Sequence, residues 1–171
     1  MNWRGIVWSS IVIILAFYTI RFVQQGCGAP SVHVGQQAPE FEGRRLSGAP
    51  VSRASLKDGP YAIIFFATWC GTCRSELPVI QRVTSQRRDI QVIVTSDETP
   101  AEVSRYMKKQ GLDIDAVANG HGIFAAFGVR VLPTVIVVDA DGRIAFAEPG
   151  GGAVSNGLSM LIDLNGKQSS K

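Results

Sequence analysis

The chain has 171 residues, of which 46% are hydrophobic and 18% charged, and its formal net charge is +3 at pH 7. This length is enough to bury one core without disulfide cross-links, and the weak charge, with lysine and arginine scattered, argues against a nucleic-acid partner. Three cysteines are too few for a disulfide framework. The two histidines, His33 and His121, stand far apart, so a zinc site is a poor interpretation.

An uncharged apolar segment opens the chain. The stretch from Gly5 to Ile20 carries no charged residue, and Arg4 and Arg21 flank it. A membrane-spanning helix needs about 20 apolar residues, and flanking arginines can extend to the two interfaces. We therefore predict a transmembrane anchor over residues 1–23.

Two alternatives to an uncut anchor stay open. One is a cleaved signal peptide, although the apolar run is long and no A-x-A site follows it. The other is a lipoprotein acylated at Cys27, although Gln24 stands where an aliphatic residue is usual. All three place the rest of the chain outside the cytoplasm. We expect a single-pass protein of the inner (cytoplasmic) membrane, with its main domain on the periplasmic, extracytoplasmic side.

Beyond the anchor, residues 24–37 lack periodicity and predict a linker, residues 38–166 a single domain, and residues 167–171 a tail. In chain order we predict two weak strands within 41–57, a strand at 61–67, a helix at 72–88, a strand at 90–95, helices at 100–110 and 122–127, strands at 134–138 and 143–147, and a helix at 155–164. The run at 61–67 is continuously apolar, as in a strand buried on both faces, and we predict that the runs at 90–95 and 134–138 are buried strands as well. The alternation predicts an α/β domain with a central mixed sheet flanked by helices.

The candidate chemistry lies between the first buried strand and the helix that follows it. Residues 69–73 read Trp-Cys-Gly-Thr-Cys, which places Cys70 at the helix N-terminus and Cys73 one turn further on. Free N–H groups and the helix dipole there stabilise an anion, and such a position can lower a cysteine pKa from about 8.5 to between about 3.5 and 7.5. We predict a redox-active pair in which the Cys70 thiolate attacks a substrate disulfide and Cys73 resolves the mixed disulfide. An inert buried disulfide or part of a metal site is the alternative.

These features resemble the thioredoxin superfamily, and within it the membrane-anchored TlpA/ResA/CcmG(DsbE)-like thiol:disulfide oxidoreductases. The resemblance covers about residues 34–164 and rests, beside the anchor, on GQQAPEF at 35–41, FFATWCGTCRSELP at 65–78 and GVRVLPTVIVVDADGRI at 128–144. It implies a thioredoxin-like fold preceded by one transmembrane helix. It also implies a protein-disulfide oxidoreductase whose redox group is the disulfide itself, with no other cofactor and no metal.

The resemblance implies roles for four further residues. Pro133 matches the cis-proline beside the CxxC motif, which leaves the backbone of Leu132 free to pair with a substrate strand; a plain turn proline is the alternative. Trp69 would form apolar surface beside the motif, or else pack in the core. Glu76 matches an acidic residue of ResA-like members, placed to relay a proton, or else is a solvated glutamate. Ile64 stands where thioredoxin has a buried aspartate, which favours Glu76 as the relay.

The function that the resemblance implies is reduction of disulfides in client proteins, apocytochrome c during cytochrome c maturation being the best-known client type. Electrons would come through an integral-membrane donor of the DsbD or CcdA kind. Two alternatives stay open. One is a disulfide oxidase or isomerase of the same fold, discriminated by its reduction potential. The other is a copper-binding or copper-tolerance protein, because two thiolates suit Cu(I) and His121 is a candidate third ligand.

Overall fold

The computed structural model describes residues 30–56 and 59–169, and within them a single sheet of seven strands carries helices on both faces. The strands are β1 (Glu42–Arg45), β2 (Pro50–Ser52), β3 (Tyr61–Phe65), β4 (Gln91–Thr95), β5 (Val117–Ala118), β6 (Thr134–Val138) and β7 (Ile144–Pro149). The helices are α1 (Gly71–Gln86), α2 (Pro100–Gln110), α3 (His121–Phe127) and α4 (Ala153–Ser169), with a 3-10 turn at Arg53–Leu56. The predicted α/β architecture with a central mixed sheet is confirmed.

The strand order is β2-β1-β5-β4-β3-β6-β7. Strands β3, β4 and β5 run parallel, whereas β6 is antiparallel to β3 and β7 to β6. At one end of the sheet, Phe65 lies opposite both Thr95 and Thr134. The residues that follow β3, those that follow β4 and those that precede β6 therefore meet at this end, which we call the motif end of the sheet.

Alternate side chains of β3 point to opposite faces, and each face has its own core. Ala62 and Ile64 belong to the core that contains residues of α1, α2 and α4, among them Leu77, Val103 and Leu161. Tyr61, Ile63 and Phe65 belong to the core that contains α3, with Ile123 and Phe127. Every residue of β3 and β6 is buried, as their mainly apolar runs predict.

Helix α2 has the boundaries that its sequence predicts. The Thr99 side chain accepts a hydrogen bond from the Glu102 N–H, and the Glu102 carboxylate accepts one from the Thr99 N–H. This reciprocal capping box satisfies two backbone N–H groups at the start of the helix, and Pro100 has no N–H that would need a partner. At the other end Gly111 adopts a left-handed conformation with φ 65°, which glycine allows at low cost.

Most boundaries lie within about two residues of their predictions, and two elements differ by more. Strand β5 was not predicted, because two residues carry no periodicity; it forms through pairing with β4 and β1. Helix α4 is longer than the predicted 155–164 and continues to Ser169, into the segment predicted as a tail. Its glycines lower helix propensity, but burial of Leu158 and Leu161 against the sheet outweighs this local preference.

The predicted anchor, residues 1–23, and Cys27 lie outside the described residues. In the ranges 30–56 and 59–169, no helix is long and apolar enough to cross a membrane. The described end of the predicted linker lies against the domain. Ser31 N–H donates to the Phe127 carbonyl at 3.2 Å, Gly35 N–H donates to the Ile144 carbonyl at 2.7 Å, and Val32 is buried in the α3-side core.

Candidate active site

The two motif cysteines form a disulfide at the motif end of the sheet. Cys70 and Cys73 have Cα atoms 5.3 Å apart. Cys70 is the N-cap residue of α1, with extended backbone angles of φ −74° and ψ 111°, and its Sγ accepts a hydrogen bond from the Cys73 N–H at 3.1 Å. The strand before it ends at Phe65, so a short turn brings Cys70 to the start of a 16-residue helix. The Cys70 sulfur therefore faces the donor end of the helix, which favours a thiolate after reduction.

Exposure differs between the residues of the motif. Cys73 is 2% exposed and Cys70 is 7% exposed, while the neighbouring Trp69 is 69% exposed. A substrate sulfur approaching from solvent meets Cys70 before Cys73. The indole of Trp69 is not part of the core; it is an apolar surface beside the less buried cysteine.

The Leu132–Pro133 peptide bond is cis, and it lies directly before β6. Because Thr134 pairs with Phe65, Pro133 lies at the same end of the sheet as the disulfide. Leu132 is half-buried and packs against both cores, whereas the preceding Val131 is exposed. The loop before β6 thus presents backbone and apolar side chain at the motif end.

Glu76 lies one turn beyond Cys73 on α1 and is tied to the loop between β7 and α4. Its Oε1 accepts a hydrogen bond from the Gly152 N–H at 2.9 Å. Two residues earlier, the Gly150 N–H donates to the Pro133 carbonyl at 2.7 Å. Gly150 and Gly152 have φ angles of 96° and 85°, which explains the glycines. The triple-glycine loop therefore joins the helix that carries Glu76 to the loop that carries Pro133.

A further contact, which sequence reasoning missed, holds the turn before Cys70. The Glu98 carboxylate accepts hydrogen bonds from the Thr68 N–H at 2.6 Å and the Thr68 hydroxyl at 2.5 Å. On the other side of the turn, the Arg74 Nε donates to the Thr68 carbonyl at 2.9 Å. The available signal was the polar run Ser96 to Glu98 directly after β4, because adjacent parallel strands end at the same end of a sheet.

The AhpC/TSA family model matches residues 34–147, which is two thirds of the chain. The chain belongs to the AhpC/TSA family. The matched range contains the disulfide, the turn before it and the cis-proline.

Individual members of this thioredoxin-like family agree with that assignment. A thioredoxin-like protein, YneN, from Bacillus subtilis (strain 168) is 30% identical over 141 residues, covering 78% of this chain and 83% of the relative. The thiol-disulfide oxidoreductase ResA from Bacillus thuringiensis (strain Al Hakam) is 28% identical over 117 residues, covering 66% of this chain and 68% of ResA.

Solved structures show the same fold. A thiol:disulfide interchange protein of the thioredoxin family from Chlorobium tepidum TLS superposes with a TM-score of 0.66 at 28% identity, covering 79% of this chain and 99% of that one. A secreted Mycobacterium tuberculosis disulfide oxidoreductase homologous to Escherichia coli DsbE superposes with a TM-score of 0.60 at 23% identity, covering 71% and 96%. The family member described here is a thioredoxin-like thiol–disulfide oxidoreductase of the ResA type, with Cys70 and Cys73 as its redox pair and disulfide-bearing substrates.

The two motif cysteines do not belong to a three-residue metal-binding cluster in the described ranges. Among residues 30–56 and 59–169, no three histidine, cysteine, aspartate or glutamate side chains lie close enough together to hold a metal ion. His121 begins α3 and does not join Cys70 and Cys73 in such a group.

Proposed function

We propose that this oxidoreductase is a membrane-anchored reductase that acts outside the cytoplasm and donates electrons to disulfides in client proteins. The proposed direction of electron flow is supported by the hydrogen bond to Cys70 Sγ. Its donor is the backbone N–H of Cys73 and not a basic side chain. Strongly oxidising members of this fold owe their potential to a highly stabilised reduced form. A single neutral donor stabilises the thiolate less than a nearby cation does, which favours the reducing end of the scale.

The proposed reaction balances as two successive exchanges. The Cys70 thiolate attacks one sulfur of a client disulfide, forming a mixed disulfide and releasing the other client sulfur as a thiolate. Cys73, deprotonated, then attacks Cys70 Sγ, restores the Cys70–Cys73 disulfide and releases the second client thiolate. The client gains two electrons and its thiolates take protons from water. In this scheme Glu76 accepts the Cys73 proton, while Trp69 and the backbone of Leu132 hold the client chain.

The cellular setting is part of the same proposal. Residues 1–23 anchor the protein in the inner membrane, with the oxidoreductase domain on the periplasmic side. A membrane-embedded donor of the DsbD or CcdA kind reduces the disulfide after each turnover. The client is apocytochrome c with its C-x-x-C-H site. The support is the apolar segment in the sequence and the similarity to relatives named ResA.

The first test is the reduction potential of the Cys70–Cys73 couple, measured on the full chain in detergent by equilibration with glutathione or dithiothreitol. We expect a value at or below about −220 mV, as in reductases of this fold. A value close to −120 mV, that of a strong oxidase, would reverse the proposed direction of electron flow.

The second test is trapping of the client. With Cys73→Ala, the mixed disulfide has no resolving thiol, and we expect a covalent complex with the client after extraction from membranes. Cys70→Ala should give neither complex nor turnover, while Cys27→Ala, which alters the cysteine outside the motif, should turn over normally. Normal turnover by Cys73→Ala would exclude the two-step mechanism.

A further inference from the structure

The Glu98 carboxylate is a centre of hydrogen bonds beside the active-site turn. It accepts from the Thr68 N–H at 2.6 Å, from the Thr68 hydroxyl at 2.5 Å and from the Ser96 hydroxyl at 3.0 Å. Hydrogen bonds to an ionised acceptor are stronger than those between neutral groups. Thr68 and Glu98 are 30 residues apart in the chain, so this contact joins the turn after β3 to the turn after β4.

Backbone hydrogen bonds from the segment between β5 and α3 hold the turn that carries Glu98. The Glu98 carbonyl accepts from the Asn119 N–H at 2.9 Å, and the Ser96 carbonyl accepts from the Gly120 N–H at 2.8 Å. Ser96 is fully buried, and its own N–H donates to the Val117 carbonyl at 2.9 Å. The segment between β5 and α3 therefore fixes the backbone of Glu98, from which its carboxylate reaches Thr68.

On the other side of the contact, every polar group of Thr68 is bonded. Its N–H and hydroxyl donate to Glu98, and its carbonyl accepts from the Arg74 Nε at 2.9 Å. The next residue is Trp69, whose side chain is mostly exposed and is not held by the core. The backbone of this turn therefore sets where the Trp69 side chain begins relative to Cys70. Glu98 holds that backbone together with Arg74 and with the Cys70 N–H, which donates to the Ala67 carbonyl at 3.1 Å.

We infer that Glu98 is a positioning residue that holds Trp69 beside Cys70 for protein substrates, and that it thereby sets the preference of the enzyme for protein disulfides over small disulfides. The inference rests on the proposed reductase function. A small disulfide needs little more than the Cys70 sulfur. A disulfide within a polypeptide also contacts the surface around that sulfur, so a displaced Trp69 weakens this reaction selectively. Misplacement of a binding group by about 1 Å can cost up to about 100-fold in rate.

The experiment compares two second-order rate constants of the reduced full chain in detergent, one with insulin and one with oxidised glutathione. Each is followed by trapping of free thiols over time. The variants are Glu98→Ala, Glu98→Gln and Thr68→Val, together with the double variant Thr68→Val, Glu98→Ala. Asp97→Asn is the matched control, because it removes the same charge one residue away from a side chain that makes no hydrogen bond to Thr68.

We expect Glu98→Ala to lower the ratio of the insulin rate to the glutathione rate by roughly tenfold, through loss of both Thr68 contacts. Thr68→Val and Glu98→Gln, which each retain part of the contact, should lower the ratio less, and the double variant should match Glu98→Ala because the two side chains act together. Asp97→Asn should leave the ratio at the wild-type value.

Two results would overturn the inference while leaving the proposed function standing. One is an unchanged ratio in Glu98→Ala, whether both rates fall together or neither falls. The other is an equal fall of the ratio in Asp97→Asn, which would make the effect one of charge and not of position. If Glu98→Ala does not fold, Glu98→Gln and Thr68→Val decide the question by the same ratio. A wild-type Cys70–Cys73 couple with the reduction potential of a strong oxidase would instead refute the proposed function, and this inference with it.

Discussion

Gly120 offers a stringent test of how the fold supports the active site. It is the N-cap residue of α3, and its backbone angles of φ −73° and ψ 15° are open to any residue. A Cβ added there would lie 2.4 Å from Thr95 Oγ1 and 2.9 Å from the Ser96 carbonyl oxygen. Because the second of these atoms is backbone, no side-chain rotation relieves the contact. Gly120→Ala must therefore push apart α3 and the turn after β4.

Gly122 is a matched control for the same substitution two residues further on. It lies in the first turn of α3, it is exposed, and an added Cβ would meet no atom within 4 Å. Overpacking costs about 1 to 3 kcal/mol, and Gly→Ala returns only about 0.4 to 1 kcal/mol through the unfolded chain. We expect Gly120→Ala to lower the free energy of unfolding by about 1 to 2 kcal/mol, whereas Gly122→Ala should raise it by about 0.5 to 1 kcal/mol.

Thermal unfolding of the oxidised protein, followed by circular dichroism, measures both variants. For a chain of this size, 1 kcal/mol corresponds to about 2 to 4 °C in Tm, so the two variants should differ by about 3 to 12 °C. Because the Gly120 N–H bonds to Ser96, Gly120→Ala should also lower the insulin-to-glutathione rate ratio at temperatures where it remains folded. Equal Tm values for the two alanine variants would refute the packing argument.

Three further predictions concern single side chains. Burial raises the pKa of Tyr61 from 10.0 to about 12. The phenol of the unfolded chain therefore ionises first, and the free energy of unfolding falls as pH rises from 10 to about 12. Tyr61→Phe, which also removes a buried hydroxyl with no partner among the described residues, should lessen that fall in urea titrations at pH 8 and 11. Trp69→Ala should change the free energy of unfolding by less than about 0.5 kcal/mol, since the indole is exposed, yet slow the reaction with insulin; a large loss of stability would contradict this placement. Thr99→Ala breaks the capping box of α2 and should cost about 1 kcal/mol in urea unfolding, with no change in redox potential.

The elements that the sequence predicts best are those whose local pattern and tertiary environment agree. Strands β3 and β6 are almost wholly apolar because both of their faces are buried. Helix α2 carries both of its end signals in its own residues, Thr99 and Gly111. Boundaries were less accurate where packing overrides propensity, as in α4, whose glycines and asparagines favour a shorter helix than the one the sheet stabilises.

The active site was predictable to the extent that its members are close in sequence. Cys70 and Cys73 share one helical turn, so their spacing alone places the two sulfurs together. The link between Glu76 and the triple-glycine loop spans 76 residues. Nothing local to Gly150 through Gly152 indicates that two of their N–H groups serve Glu76 and Pro133, because three glycines are equally typical of a flexible connection.

Glu98 was missed for a reason that can be traced to a single short strand. The residues after β3 and β4 are expected to meet, so Ser96, Asp97 or Glu98 could each contact the turn before Cys70. The choice of Glu98 depends on how the turn after β4 is held, and that turn is held by Asn119 and Gly120. These two residues are placed by β5, the two-residue strand whose pairing with β4 and β1 has no signature in the sequence. Once β5 is fixed, the position of Glu98 follows, and with it the orientation of the turn that presents Trp69 and Cys70.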